Sequence, residues 1–390
     1  MKTDIQELVP ALRFPEFEGE WVEDKLEAIC NMKAGKFISA SEINQHNSDN
    51  LNPCYGGNGL RGYVQSTTNA GKFSLIGRQG AHCGNITLAN GLFHATEHAV
   101  VVTPEKNIDT DWLYYVLILL KLNRYATGQA QPGLSVSTIK KVSLKYPRSL
   151  PEQQKIASFL TTIDNRIQAL EKKKSSLEQY KKGVMQKIFS QEIRFKDEDG
   201  KDFPEWEEKK LGEVLSMELR KFPKPAHEYL AIGVRSHCKG TFQKPNSDPS
   251  KNSMSELYRV KENDLIVNIT FAWEGAIAIV RKKDEGGYVS HRFPTYRCIE
   301  EEIIPEYLKY VILIKKFRQN LDLISPGGAG RNRVMNKKDF LKFKWIIPNV
   351  LEQTHIANFL TALDKKIALV NEQIEKTKTY KKGLLQKMFV

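Results

Sequence analysis

A chain of 390 residues is long enough for two or more domains, and a hydrophobic content of 41% is enough to give each an ordinary core. Lys and Arg total 59 against 46 Asp and Glu, a formal net charge of +13 that points to a polyanionic partner, because clustered cations gain free energy by displacing counterions from phosphates. The five cysteines lack C-x-x-C spacing, residues 1–10 lack the pattern of a signal peptide, and the longest apolar run, 112–120, is too short to cross a bilayer; disulfide scaffold, zinc ribbon and membrane protein are therefore set aside, and a cytoplasmic protein is expected.

From the N-terminus, Arg13-Phe14 followed by Trp21 and Leu26 opens the first segment. Two loops then pair arginine with glycine, Gly59-Leu60-Arg61-Gly62 and Gly77-Arg78-Gln79-Gly80. Glycine lets backbone amides approach a phosphate closely, Arg offers guanine two parallel hydrogen bonds, and Gln or Asn does the same for adenine. A β-type run at 99–103 and a helix at about 109–125 precede a Gly-rich stretch at 128–133. From 152 to 189 apolar residues fall at Ile156, Leu160, Ile163, Ile167, Leu170, Leu177, Val184 and Ile188, in alternating steps of four and three, with Lys174 and Lys181 filling the gaps. That is a heptad seam on a long helix free of proline.

The order then repeats. Arg194-Phe195, Trp206 and Leu211 reopen the pattern; β-type runs follow at 264–268 and 276–280, a helix at about 305–323, and a Gly-rich stretch at 327–330 leading into Arg331-Asn332-Arg333. Residues 352–389 align with 152–189 at a constant offset of 200, with 16 of 38 positions identical. Their seam runs through Ile356, Leu360, Leu363, Ile367, Val370, Ile374, Leu384 and Met388. Two matching helices in one chain bury each other's apolar stripes. Paired antiparallel, they form a spacer of ~57 Å at 1.5 Å per residue, or ~17 base pairs of duplex, with a globular segment at each end. The globular segments share an architecture and differ in surface residues, which suits two readers of two different sequences.

Several motifs lead elsewhere and stop short. Asn52-Pro53-Cys54-Tyr55 resembles the N-P-P-Y motif of adenine methyltransferases, but no Gly-rich cofactor loop following a strand accompanies it. His82, Cys83, His94 and His98 match no common zinc spacing, so no metal is expected. A P-loop signature is missing, and Glu207-Glu208-Lys209 reads as a charged turn beside Trp206.

Four blocks carry a resemblance to a known family: Leu12-Arg13-Phe14-Pro15-Glu16-Phe17 with Trp21; Pro53-Cys54-Tyr55-Gly56-Gly57-Asn58-Gly59; Leu150-Pro151-Glu152-Gln153-Gln154-Lys155-Ile156-Ala157; and Tyr180-Lys181-Lys182-Gly183 with Gln186-Lys187-Ile188-Phe189. The pattern resembles the specificity subunits of type I restriction–modification systems across nearly the whole chain. Departures are Leu351, Thr354 and His355 where the first copy has Pro151, Gln154 and Lys155. The resemblance implies an α+β chain with an internal pseudo-twofold repeat: two mixed α/β target-recognition domains at 1–150 and 191–350, separated by two long antiparallel coiled-coil helices at 151–190 and 351–390. It implies a non-catalytic subunit without cofactor that binds double-stranded DNA at an asymmetric, gapped target, two methyltransferase subunits along the helices, and ATP-dependent restriction subunits. Residue chemistry and loop context nominate Arg61, Arg78, Gln79, His82, Asn85 and Gln129 for DNA contact in the first domain. Arg235, Lys239, Asn268, Trp273, Arg292, Arg331 and Arg333 are nominated in the second. The competing readings are a stand-alone DNA adenine methyltransferase and a coiled-coil scaffold.

Overall fold

The computed structural model describes residues 8–128, 132–328 and 333–390. It divides into two compact units, 1–173 with 370–390, and 174–369. Each unit takes the first part of one long helix and the last part of the other. The helices themselves, Leu150–Phe189 and Val350–Met388, are each continuous.

Inside the first unit the pairing is antiparallel: Asp164 meets Lys381 and Glu171 meets Lys378, one number rising as the other falls. Ile156, Leu160, Ile163 and Ile167 of the first helix share a buried cluster with Leu384 and Met388 of the second, and with Trp21, Trp112 and Leu113 of the globular part. The second unit repeats the arrangement, with Ile356, Leu360 and Leu363 packed with Ile188, Tyr307 and Leu308. The apolar seam positions are buried, apart from Leu170, Leu177, Val184 and Ile367, which are half-buried.

Both units carry the same four-stranded antiparallel sheet. In the first the spatial order is Cys30–Ala34, Ala99–Pro104, Phe73–Gly77, Ile86–Ala89. In the second it is Leu215–Glu218, Thr295–Cys298, Leu265–Val267, Ile277–Ile279. A second sheet accompanies each, four-stranded in the first unit and five-stranded in the second. The expected β-type runs at 99–103, 264–268 and 276–280 all fall on the paired sheets.

The two expected connecting helices are shorter than their apolar runs. Thr110–Leu119 is helical, Lys121 then adopts a left-handed φ of 45°, and Leu122–Tyr125 continues as a 3-10 turn. The run at 305–323 divides into Pro305–Val311 and Lys315–Leu323, with Ile314 extended at the junction. The break leaves helix carbonyls open, and Cys238 Sγ donates to that of Ile312 at 3.2 Å.

The repeated Glu-Gln pair at each long-helix start has a structural reason. Glu152 is buried and accepts from Arg13 Nε and Nη2, both at 2.8 Å, and from Trp21 Nε1 at 3.2 Å. Glu352 is buried in the same way under Arg194 and Trp206. The hydrogen bond to Glu152 raises the pKa of Arg13, and that to Glu352 raises the pKa of Arg194. Gln153 Oε1 accepts from Asp109 N and its Nε2 donates to Pro147 O, both at 2.8 Å; Gln353 does so with Ile304 N and Pro348 O. Each helix is thus pinned to its own globular part by one buried carboxylate and one buried amide whose donors and acceptors are matched.

Candidate nucleic-acid interface

In each unit the turn after the central strand has the same length and the same opening bond, though the bond made by its closing glycine differs. In the first it spans 77–84. Gly77 N donates to Asn85 O at 2.9 Å and Gly84 N to Gly77 O at 2.7 Å. Gly84 has φ +83°, and a Cβ there would sit 2.3 Å from the backbone nitrogen of Asn123, so only glycine fits. In the second unit the turn spans 268–275. Asn268 N donates to Ala276 O at 2.9 Å, and Gly275 has φ +75°.

Two further segments dock on each turn at matching places. Arg78 N donates to His98 O at 3.0 Å, and Leu134 N to Arg78 O at 2.8 Å. In the second unit Ile269 N donates to Arg292 O at 3.0 Å, and Met335 N to Ile269 O at 2.8 Å. The turn, the lead-in to the neighbouring strand, and the end of the Gly-rich stretch therefore converge twice, from residues more than 50 positions apart in sequence. In the first unit the hairpin at 56–61 joins them: a Cβ on Gly77 would lie 1.9 Å from Gly57 O, which is how close the two loops come.

This convergence gathers the nominated residues. In the first unit Arg61, Gln79 and His82 line one cavity of about 580 Å³, together with His98. Arg61, Gln79, His82 and Asn85 are exposed, while Arg78 is half-buried behind them. His98 Nε2 lies 3.0 Å from Glu97 Oε1. Arg78 Nε, His98 Nδ1 and Glu97 Oε2 are buried atoms without a hydrogen-bond partner among the described residues. His94, by contrast, is structural: its ring nitrogens lie 2.9 Å from Ser66 Oγ and 3.1 Å from Lys36 O. Gln129 lies outside the described residues.

In the second unit exposed Arg292 donates through Nη1 to Thr270 Oγ1 at 3.2 Å, and Trp273 Nε1 donates to Thr270 O at 3.2 Å. The Arg333 guanidinium stands 5.1 Å from the centre of the Trp273 ring, held by Asp322 Oδ1 at 2.6 Å and Ser325 O at 3.1 Å. Asn268 begins the turn, half-buried, its Oδ1 accepting from Thr270 N at 3.2 Å. Arg235 and Lys239 belong to a tight turn sewn onto the same element, with His237 N donating to Glu274 O and Cys238 N to Gly275 O, both at 2.8 Å. Lys239 is exposed, and Arg235 lies 5.0 Å from the centre of the Phe242 ring. Arg331 lies outside the described residues.

Sequence reasoning gave His98, grouped with His82, Cys83 and His94, a structural or DNA-contacting role over metal ligation without nominating it as a contact, and missed Thr270 and Lys337. Lys337 Nζ donates to His291 O at 3.0 Å beside Arg292, and burial lowers its pKa. Aligning the lead-ins to the two equivalent strands, 97–99 with 291–293, would have paired His98 with Arg292.

Two sheets built alike, each presenting a basic, glycine-hinged cluster of loops, define a doubled chain with one candidate nucleic-acid interface in each unit. A family model described as the type I restriction modification DNA specificity domain matches residues 18–179 and again 204–379. The specificity subunit of the type I restriction enzyme EcoprrI from Escherichia coli is 43% identical over 169 residues, spanning 42% of this chain and 42% of that subunit. The MjaVIII specificity subunit of Methanocaldococcus jannaschii is 26% identical over 324 residues, 77% of this chain and 74% of that one. The crystal structure of a type I restriction–modification S subunit from M. genitalium shares the fold, with a TM-score of 0.65 at 15% identity over 98% of this chain and 99% of that one. The chain belongs to the type I restriction–modification DNA specificity family, whose relatives here are named as specificity subunits of type I restriction enzymes.

Proposed function

We propose that this chain reads an asymmetric, bipartite target in double-stranded DNA through two recognition domains, 1–150 and 191–350, kept apart by the helices at 151–190 and 351–390. Two methyltransferase subunits dock along those helices, and ATP-dependent restriction subunits join the full complex. The observation that carries the reading is the loop cluster built twice on the same sheet with different side chains: Arg61, Arg78, Gln79, His82 and Asn85 in one, Arg235, Lys239, Asn268, Trp273, Arg292 and Arg333 in the other. Gln129 and Arg331, in the Gly-rich stretches, complete the proposed contacts. Among the described residues no helix is long and apolar enough to cross a membrane.

Genome-wide mapping of N6-methyladenine with and without the gene tests this. Loss of one asymmetric, gapped motif on deletion is the expected result. Methyl transfer from S-adenosylmethionine by the purified chain alone would instead establish a stand-alone enzyme, and lack of any salt-sensitive DNA affinity would leave a scaffold.

A further inference from the structure

The two turns have the same length, are opened by the same bond (Gly77 N to Asn85 O, Asn268 N to Ala276 O) and receive the same two docking segments at their second position, which assigns equivalents that sequence similarity does not. Gly84 and Gly275 close both turns in the left-handed region. Counting back from them, Arg78 matches Ile269, Gln79 matches Thr270, and His82 matches Trp273. The residue whose carbonyl accepts from the second position of the turn is His98 in one unit and Arg292 in the other. Each precedes an equivalent strand of the same sheet, Ala99–Pro104 or Thr295–Cys298. Each also faces the third position of its turn. Arg292 is bonded to Thr270 at 3.2 Å, and His98 lines the same cavity as Gln79.

Resting on the DNA-reading function above, we propose that His98 and Arg292 are the matched specificity-determining residues of the two domains, each reading one base of its own half-site. Backbone stitching on both sides fixes where the side chain leaves the sheet, while the side chain itself is free to differ. Arginine, with two parallel N–H donors, suits the O6 and N7 of a guanine in the major groove. His98 would read its base edge through one hydrogen bond at Nε2, the nitrogen that stands 3.0 Å from Glu97 Oε1, since Nδ1 is buried. Thr270, at the facing position, holds the Arg292 guanidinium through its hydroxyl. The same scaffold position thus carries a different reader in each unit, and the two half-sites differ accordingly.

The test is methylation-motif sequencing of cells carrying the wild-type system or the His98→Ala, Arg292→Ala and Arg292→Lys variants. His98→Ala is expected to relax one base of one half-site, leaving the gap and the other half-site intact. Arg292→Ala is expected to relax a guanine in the other half-site, with discrimination there falling on the order of 10- to 100-fold. Arg292→Lys should lose part of that discrimination, because a single ammonium cannot make the paired contact. In each variant the untouched half-site is the internal control for folding and assembly. An unchanged motif in both variants would overturn the assignment, and so would uniformly weaker binding to all sequences, the mark of a phosphate contact. If a variant methylates nothing, binding of its assembled complex to duplexes altered one base at a time decides: an unchanged ranking overturns the proposal, and loss of preference at one base supports it. If the wild-type system yields no gapped motif, the DNA-reading function itself fails, which is a separate outcome.

Discussion

Glu152 and Glu352 are carboxylates buried at the starts of the long helices, tolerable only because an arginine and a tryptophan N–H meet each of them. Removing one partner of a buried ion pair costs far more than the pair contributes, since the other is left desolvated and unpaired. Glu352→Ala should therefore destabilise the second unit by on the order of 3 kcal/mol, whereas substitution of the exposed ion-pair residue Glu372 should leave stability nearly unchanged. Urea denaturation of the two variants checks the contrast. Burial also governs the cysteines. It pushes Cys30 and Cys298 from 9.0 up to about 12, so in the folded chain both stay thiols at neutral pH. A raised folded pKa contributes stability that is complete below 9.0 and is lost as pH rises toward 12, because only the unfolded thiols ionise in that window. Stability measured by denaturant should fall between pH 9 and 11, and the Cys30→Ala/Cys298→Ala double variant should fall less steeply.

The long helices show what an element needs beyond its period. Their apolar seam buries the aliphatic positions, but Lys181 and Lys381 also sit on it. Each reaches an aspartate of the facing helix at 2.5 Å, Asp364 and Asp164 respectively, which in turn accepts from Tyr310 or Tyr115 at 2.8 Å. A charged residue in a seam costs stability and fixes register, because in any other alignment it would be buried without a partner. Gly183 and Gly383 lie two residues further on, and a Cβ at either would touch nothing within 4 Å. With no steric reason for glycine in a helix interior, Gly183→Ala and Gly383→Ala should each raise stability by about 1 kcal/mol, read as an increase in thermal midpoint. A fall would mean that the helix needs glycine's conformational freedom there.

At the scale of the molecule, each compact unit contains one globular segment with pieces of both helices, and the divisions fall at 173/174 and 369/370. The ruler model predicts that inserting one heptad at both divisions keeps every side chain on its seam. Seven residues add ~10.5 Å, or ~3 base pairs, so the methylated motif should gain about three unspecified positions with both half-sites unchanged. An altered half-site would count against a spacer role.

Sequence alone determined the duplication, the two helices and the positions of their seam, because a heptad is a local signal written in residues three and four apart. It also marked the Gly-Arg loop at 77–80, part of the turn that Gly84 closes where a Cβ would sit 2.3 Å from the backbone nitrogen of Asn123. Tertiary structure decided why the Glu-Gln pair recurs, where the connecting helices break, and which loops meet. Those outcomes depend on contacts among residues 57, 78, 98 and 134, or 269, 292 and 335, whose separations carry no periodicity. His98, grouped in the sequence with His82, Cys83 and His94, was not separated from them for that reason: its place in the cavity with Gln79 is set by strand pairing in the sheet, which brings the ends of distant segments together and leaves no trace in the residues between them.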